Sequence, residues 1–166
     1  MTSRTPLTAQ FFDQKGALLE AVGAFLREGL IAGQPAIVIA TEAHREAIVT
    51  YLTAQDIDVD GARRMGDLVL LDADETLALF MVDSIPNAEL FKHQVATLLG
   101  QNTRGSRLPT RAYTNMMDVL WARGRHEAAV RVEVLWGELS TTGAFSVQCV
   151  YSMGNFYKQS VAPTRA

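Results

Sequence analysis

Several polar and aromatic side chains come directly after the short apolar runs of this sequence. In open parallel sheets, ligands bind in the crevice at the carboxyl ends of the strands. If the apolar runs are strands, the candidate site consists of Phe12, Asp13, Thr41, Glu42, Tyr113, Asn115 and Met116. Methionine walls adapt to irregular apolar ligands, while an amide and a phenol can orient one polar group. These residue types predict a binding site for a small, largely apolar molecule.

Glu133 is a further candidate, because it borders the apolar stripe of a predicted helix. Ala129 and Trp136 lie about one turn away on either side of it. A carboxylate beside an apolar stripe needs a hydrogen-bond donor. The donor is either a structural arginine, such as Arg111, or a ligand, and the structural alternative is favoured.

Nucleotide and metal sites are not expected. The turn FFDQKGALLE has one glycine and no GK[ST], and GQNTRGSR has serine where a phosphate-binding loop needs lysine. His44, His93 and His126 are far apart in the chain, with no second metal-binding residue at a recognised spacing. The sequence therefore predicts no cofactor and no metal.

Catalysis is not expected either. Cys149 lies among apolar residues in a predicted strand, where burial favours an inert thiol. Asp72, Asp74 and Glu75 follow another predicted strand, and a helix N-cap with acids in its first turn explains them better than general acid-base chemistry. We expect a non-enzymatic protein, and a hydrolase using these residues ranks last.

The composition is typical of one globular domain. The 166 residues are 48% apolar and 20% charged, with a formal charge of -3, which gives no overall attraction to nucleic acid. Arg104, Arg107 and Arg111 fit a solvated loop that leads into a strand. The single cysteine, the absence of a secretory signal and the shortness of the apolar runs favour a cytoplasmic protein that does not enter a membrane.

Short apolar runs alternate with amphipathic segments, which favours a mainly parallel sheet covered by helices. The runs 36–41 and 68–73 read as strands buried on both faces. Further strands are expected at 110–114, 145–151 and 7–12. Right-handed crossovers between about five strands predict a three-layer α/β/α sandwich. We expect one domain over residues 1–158, followed by a tail or tether at 159–166.

Helices are expected between the strands. One apolar stripe leads up to Gly33, a second helix is capped by Thr41 and buries Ile48 and Leu52, and a third opens at Pro86 and Asn87. The third helix directs a set of apolar residues inward: Leu90, Phe91, Val95, Leu98 and Leu99. A last stripe consists of Ala128, Val132, Leu135, Trp136 and Leu139.

From about residue 7 to residue 156, this chain resembles the MEDS domain, a sensory module named after methanogens, methylotrophs and a dichloromethane-responsive regulator. Four segments carry the resemblance in the same order and spacing: AIVIATEAHREAI, LVLLDADETLALFMVDSIPNAELF, RAYTNMMDVLWARGRHEAAVRVEVLWGEL and FSVQCVY. The resemblance implies a non-enzymatic sensor of hydrocarbon derivatives with a RecA- or KaiC-like core that lacks the P-loop. It also implies a signalling output domain as partner, which would be a kinase, an anti-sigma factor or a transcription regulator.

The chain departs from the family pattern at two places. Leu7 stands where the family has histidine, and Thr114 and Asn115 stand where it has Gly-Glu. An amide at position 115 can still form hydrogen bonds but carries no charge. The matching Glu133, Trp136, Cys149 and Tyr151 are retained.

Two functions remain open from the sequence. In the first, Tyr113 and Asn115 orient a small apolar ligand, and binding biases an attached output module. In the second, the chain is an interaction or dimerisation module without a small ligand, which docks a partner or a second copy through the helix of Trp136. Ligand-induced stabilisation favours the first, and a dimer that depends on exposed apolar residues favours the second.

Overall fold

The fold is seen in a computed structural model, which describes residues 8–12, 15–103, 109–141 and 145–152, with side chains over 18–98 and 109–141. Its elements are β1 (Thr8–Phe12), α1 (Lys15–Ile31), β2 (Ala36–Ala40), α2 (Glu42–Ala54), α3 (Val59–Arg64), β3 (Leu68–Asp72), α4 (Ala73–Ala78), β4 (Met81–Val82), β5 (Ile85–Pro86), α5 (Ala88–Thr103), β6 (Thr110–Thr114), α6 (Met116–Ala122), α7 (His126–Ser140) and β7 (Phe145–Ser152). The expected tail at 159–166 lies outside the described residues.

The main sheet has the order β1-β7-β6-β2-β3, and all of its pairs are parallel. The predicted α/β class with a parallel sheet is therefore confirmed. The chain passes from β2 outward to β3 and returns to β6 on the other side of β2, before continuing to β7. The strand order reverses between β2 and β6, which makes the carboxyl end of this strand pair a topological switch point.

Helices pack against both faces of the described sheet. Ile37, Ile39 and Ala112 belong to an apolar cluster with residues of α4, α5, α6 and α7. Val38 and Tyr113 belong to a second cluster, together with residues of α1, α2 and α3. This division follows from the alternation of side chains along a strand. It places the two helices that follow β2 and β6, namely α2 and α6, on opposite sides of the sheet.

Most predicted elements lie where expected, and their buried faces follow the apolar spacing. Ile48 and Leu52 are buried on α2, and Phe91 and Val95 on α5. The Asn87 carboxamide oxygen accepts a hydrogen bond from the Leu90 amide at 2.9 Å, and so caps the start of α5. Gly33, with φ of 84°, follows α1, a conformation that glycine adopts without strain.

Two features of the fold differ from expectation. The strand β3, expected to be buried on both faces, has half-buried residues from Val69 to Asp72. Within the described sheet it pairs only with β2, so it lies at an edge and is covered less. The short helix α3 and the β4–β5 hairpin were not expected either. Asp83 and Ser84 form the hairpin turn with positive φ angles of 52° and 67°, and neither is the glycine that usually indicates such a turn.

The family resemblance also implied a RecA- or KaiC-like core, which stays a prediction. Over the described residues, no helix is both long enough and apolar enough to cross a membrane.

Candidate functional site

Four polar side chains meet at the carboxyl ends of β2 and β6, and we call them the switch-point cluster: Thr41, His44, Tyr113 and Asn115. Thr41 follows the last residue of β2, and Asn115 follows the last residue of β6. The two strand ends lie side by side, since Ile39 pairs with Thr114 and the Asn115 amide donates to the Ile39 carbonyl at 3.2 Å. Parallel pairing thus brings together residues that are about 70 positions apart in sequence.

Asn115 is the centre of this cluster and is only 3% exposed. Its Oδ1 accepts a hydrogen bond from the Thr41 amide at 3.3 Å. A backbone amide can only donate, so this contact fixes the orientation of the carboxamide. Nδ2 then donates to Thr41 Oγ1 at 3.3 Å and lies 3.1 Å from His44 Nδ1. Three contacts within the protein therefore hold the amide, and it links the end of β6 to the start of α2.

His44 occupies the first turn of α2 and is half-buried. Because Asn115 Nδ2 can only donate, His44 Nδ1 must act as an acceptor. The Tyr113 hydroxyl lies 3.0 Å from the same nitrogen. An acceptor at Nδ1 corresponds to a neutral imidazole with its proton on Nε2.

Tyr113 provides the buried end of the cluster. Its side chain is 0% exposed and packs into the apolar cluster on the α1–α3 side of the sheet. A buried phenol needs a partner for its hydroxyl, and His44 is one such partner. Tyr113 is thus both a buried core aromatic and a hydrogen-bond partner of the His44 ring.

Thr41 occupies the predicted N-cap position of α2, but its side chain makes no capping hydrogen bond. Its hydroxyl accepts a hydrogen bond from Asn115 Nδ2, so the expected cap at Thr41 is wrong. On β6, Thr114 Oγ1 accepts from the Met116 amide at 3.0 Å and supports the start of α6. Asn115 and Thr114 thus support the starts of α2 and α6, respectively, by accepting hydrogen bonds from the Thr41 and Met116 amides.

The remaining predicted site residues are spread over the fold. Glu42 is exposed in the first turn of α2, beside the cluster. Met116 is 0% exposed within the apolar core on the α4–α7 side. Phe12 ends β1, which is separated from β2 by two intervening strands, a distance of about 14 Å at the usual strand spacing. The side chain of Phe12 and the whole of Asp13 lie outside the described residues.

Glu133 is also distant from the switch-point cluster. It is 9% exposed on α7, a helix that packs on the opposite side of the sheet from the Tyr113 side chain. Arg111 is not its partner. The Arg111 guanidinium donates to Gln34 Oε1 at 2.9 Å, to the Phe25 carbonyl at 2.8 Å and to Glu28 Oε1 at 3.3 Å. Arg111 thus fixes α1 to β6 and does not belong to a solvated loop.

The acids after β3 act as the sequence predicts. Asp72 Oδ2 accepts from the Glu75 amide at 3.0 Å, so Asp72 is the N-cap of α4. Its other oxygen lies 3.2 Å from Arg45 Nη2, and both side chains are about one-quarter exposed. No group of three potential metal ligands occurs in the part of the chain that the structure describes.

Sequence reasoning did not select His44, which it treated as one of three separate histidines. The available signal was its position, four residues after the end of β2 and two residues after the chosen Glu42. Pairing of β2 with β6 brings it to Tyr113, and that pairing cannot be read from local spacing. The side chain of Cys149 lies outside those described.

The model of the family described as MEDS, the methanogen/methylotroph, DcmR sensory domain, matches residues 8–165. No curated protein matches the chain. Because the family match covers nearly the whole chain, the chain belongs to the MEDS family of sensory domains.

Proposed function

We propose that this MEDS domain is a non-enzymatic sensor that binds a small, largely apolar organic molecule at the switch-point cluster. The convergence of Thr41, His44, Tyr113 and Asn115 at the reversal of strand order carries the proposal. Membership of a sensory family supports the sensing role. The absence of a GK[ST] turn in the sequence argues against a nucleotide as the ligand.

The proposed ligand is uncharged and has one hydrogen-bonding group. The switch-point cluster contributes hydroxyl, carboxamide and imidazole groups, and the nearby Arg45 and Asp72 are paired with each other. Glu42, beside the cluster, is exposed to water. A charged group that leaves water for this site therefore finds no buried opposite charge to compensate it. Thr41 and His44 are half-buried, whereas Tyr113 and Asn115 are buried. The ligand therefore meets Thr41 and His44 first, and its apolar part reaches the neighbouring core as the site opens.

Binding is proposed to act through the hydrogen bonds of Asn115. A ligand group that competes for His44 or Thr41 weakens the link between β6 and α2. Since α2 and α6 lie on opposite faces of the sheet, loss of this link changes the relation between two helices that an output module can contact. A ligand shifts such an equilibrium by its difference in affinity for the two states. The output module is proposed to be a kinase, an anti-sigma factor or a transcription regulator.

We also propose that the sheet and its helices form a RecA- or KaiC-like sandwich and that the protein is cytoplasmic. A parallel sheet with helices against both faces is compatible with the RecA- or KaiC-like sandwich that the family resemblance implies. A single cysteine fits a reducing compartment such as the cytoplasm.

The alternative, a dimerisation module acting through α7, has less support. Exposed positions on the described part of α7 are mixed in character, with Val134 accompanied by Glu127, Arg131 and Glu138. One exposed valine is ordinary on a protein surface and does not form a docking face.

Thermal unfolding in the presence of small neutral alcohols, amides and halogenated hydrocarbons tests the proposal. A ligand at one hundred times its dissociation constant adds about 2.7 kcal/mol, which raises Tm by about 5–10 °C for a chain of this size. We expect His44→Ala to reduce this rise and His93→Ala, at an exposed histidine on α5, to leave it unchanged. Absence of stabilisation across the panel, or an equal rise in both variants, would contradict the proposed site.

A further inference from the structure

A second concave surface lies away from the switch-point cluster, between the β4–β5 hairpin and the start of α7. It encloses about 590 Å³, within the size range of small-molecule sites. Its lining includes Ile85 from the hairpin and Gly124, Arg125, His126, Glu127 and Arg131 from the α6–α7 turn and α7. None of these residues belongs to the switch-point cluster. We call this surface the hairpin cavity.

The hairpin cavity carries two guanidinium groups that contact no acceptor among the described residues. Within the described residues, neither Arg125 nor Arg131 makes an ion pair or a hydrogen bond through its side chain. Arg45, Arg111 and Arg123 are each paired with a carboxylate. Arg27, Arg63 and Arg64 make no such contact among the described residues either. Guanidinium groups bind carboxylates and phosphates with two parallel hydrogen bonds.

The lining contains two arginines, Arg125 and Arg131, and one acidic residue, Glu127. This wall therefore carries a net positive charge, although the formal charge of the whole chain is -3.

The start of α7 contributes to the same wall. Arg125 occupies the N-cap position, and Glu127 places a carboxylate in the first turn. The first amides of a helix lack partners within the helix, and they attract anions together with the helix dipole. Both arginines and the first amides of α7 lie within residues 125–131. The turn at Gly124, with φ of 79°, connects α6 to this segment.

His126 also lines the hairpin cavity. Its ring lies 4.4 Å from the Trp121 ring, and its Nε2 is buried with no hydrogen-bond partner in the described structure. An anionic oxygen could accept a hydrogen bond from Nε2–H only after the ring turns toward the cavity, because this nitrogen has almost no accessible surface.

We propose that the hairpin cavity is a second ligand site, which binds a small organic anion. The carboxylate or phosphate contacts Arg125, Arg131 and the first amides of α7. The apolar part of the ligand lies against Ile85, which is 58% exposed, and against Pro86. The site thus differs in chemistry from the neutral switch-point cluster, and it gives the domain the capacity to respond to an anionic molecule as well as a neutral one.

Titration with butyrate and butyl phosphate at constant ionic strength tests this second site. The readout is the ¹H–¹⁵N amide signals of His126, Glu127 and Ala128, which form the first turn of α7. Both anions should shift these signals to saturation, while butanol should not. The double variant Arg125→Gln with Arg131→Gln should weaken binding at least about tenfold, because two charge-assisted contacts to the anion are lost.

A matched control carries the same change of charge at another place. Arg63 and Arg64 are exposed in the last turn of α3, and replacing both by Gln should change the affinity less than about twofold, since distant surface charges are screened. Equal weakening in both double variants would show attraction to net charge alone and would overturn the proposal. Absence of saturable shifts in the wild-type protein would overturn it as well. His44→Ala should leave anion binding unchanged, so this test is independent of the switch-point proposal.

Discussion

Replacing Asn115 by Ala tests whether the switch-point cluster holds the ends of β2 and β6 together. The substitution removes the acceptor for the Thr41 amide and the donor to Thr41 Oγ1 and His44 Nδ1. A net hydrogen bond contributes about 0.5–1.5 kcal/mol, and a buried group left unsatisfied costs about 1–3 kcal/mol. Because Asn115 is 3% exposed, water replaces these contacts poorly. We expect a loss of about 2–4 kcal/mol in the free energy of unfolding.

Urea unfolding followed by far-UV circular dichroism measures this loss, with Asn87→Ala as the matched control. Asn87 is an exposed asparagine that makes one side-chain contact, the cap to the Leu90 amide, and such a cap contributes about 1 kcal/mol. The Asn115 variant should lose clearly more stability than the control. If the two variants lose the same amount, the three contacts of Asn115 do not stabilise the fold and the reasoning about the cluster is refuted.

Three other substitutions test the packing that positions the sites. Gly23→Ala places a methyl group in contact with the Tyr51 ring, so differential scanning calorimetry should record a loss of about 1–3 kcal/mol; an unchanged Tm would contradict the close approach of α1 and α2. Trp136→Ala removes a fully buried ring at 5.2 Å from Phe91 and should cost about 3–5 kcal/mol in urea unfolding; a cost below 1 kcal/mol would be incompatible with this core. Asp72→Ala removes the α4 cap and the Arg45 pair, for an expected loss of about 1–2 kcal/mol that thermal unfolding can measure; increased stability would refute both roles.

The local part of this fold is predictable because it depends on short-range patterns. Continuous apolar runs indicate the parallel strands, and helical spacing indicates buried residues such as Ile48 and Phe91. The cap at Asp72 follows from an acid placed directly before a helix. The hairpin was missed because its turn uses Asp83 and Ser84 and contains no glycine, the residue that most often indicates a turn with positive φ.

The candidate site is predictable only in part, because it depends on which strands become neighbours. Position at or directly after the end of a strand was enough to select Thr41, Tyr113 and Asn115. The pairing of β2 with β6 was needed to add His44 and to separate Glu133 from the cluster. The partners of Arg111 lie 77 to 86 residues away in sequence, so local spacing could not indicate that it binds α1. The same holds for the hairpin cavity, which joins β5 to the start of α7.

The central claim is that a small neutral ligand binds at the carboxyl ends of β2 and β6. Nitrogen-15 NMR of the histidine side chains, with the neutral compound that raises Tm most, tests it most directly, because ring-nitrogen shifts report hydrogen bonding and tautomeric state. The account predicts that the His44 signals move to saturation, while those of the exposed His93 remain in place. Unchanged His44 signals at saturating ligand would contradict it.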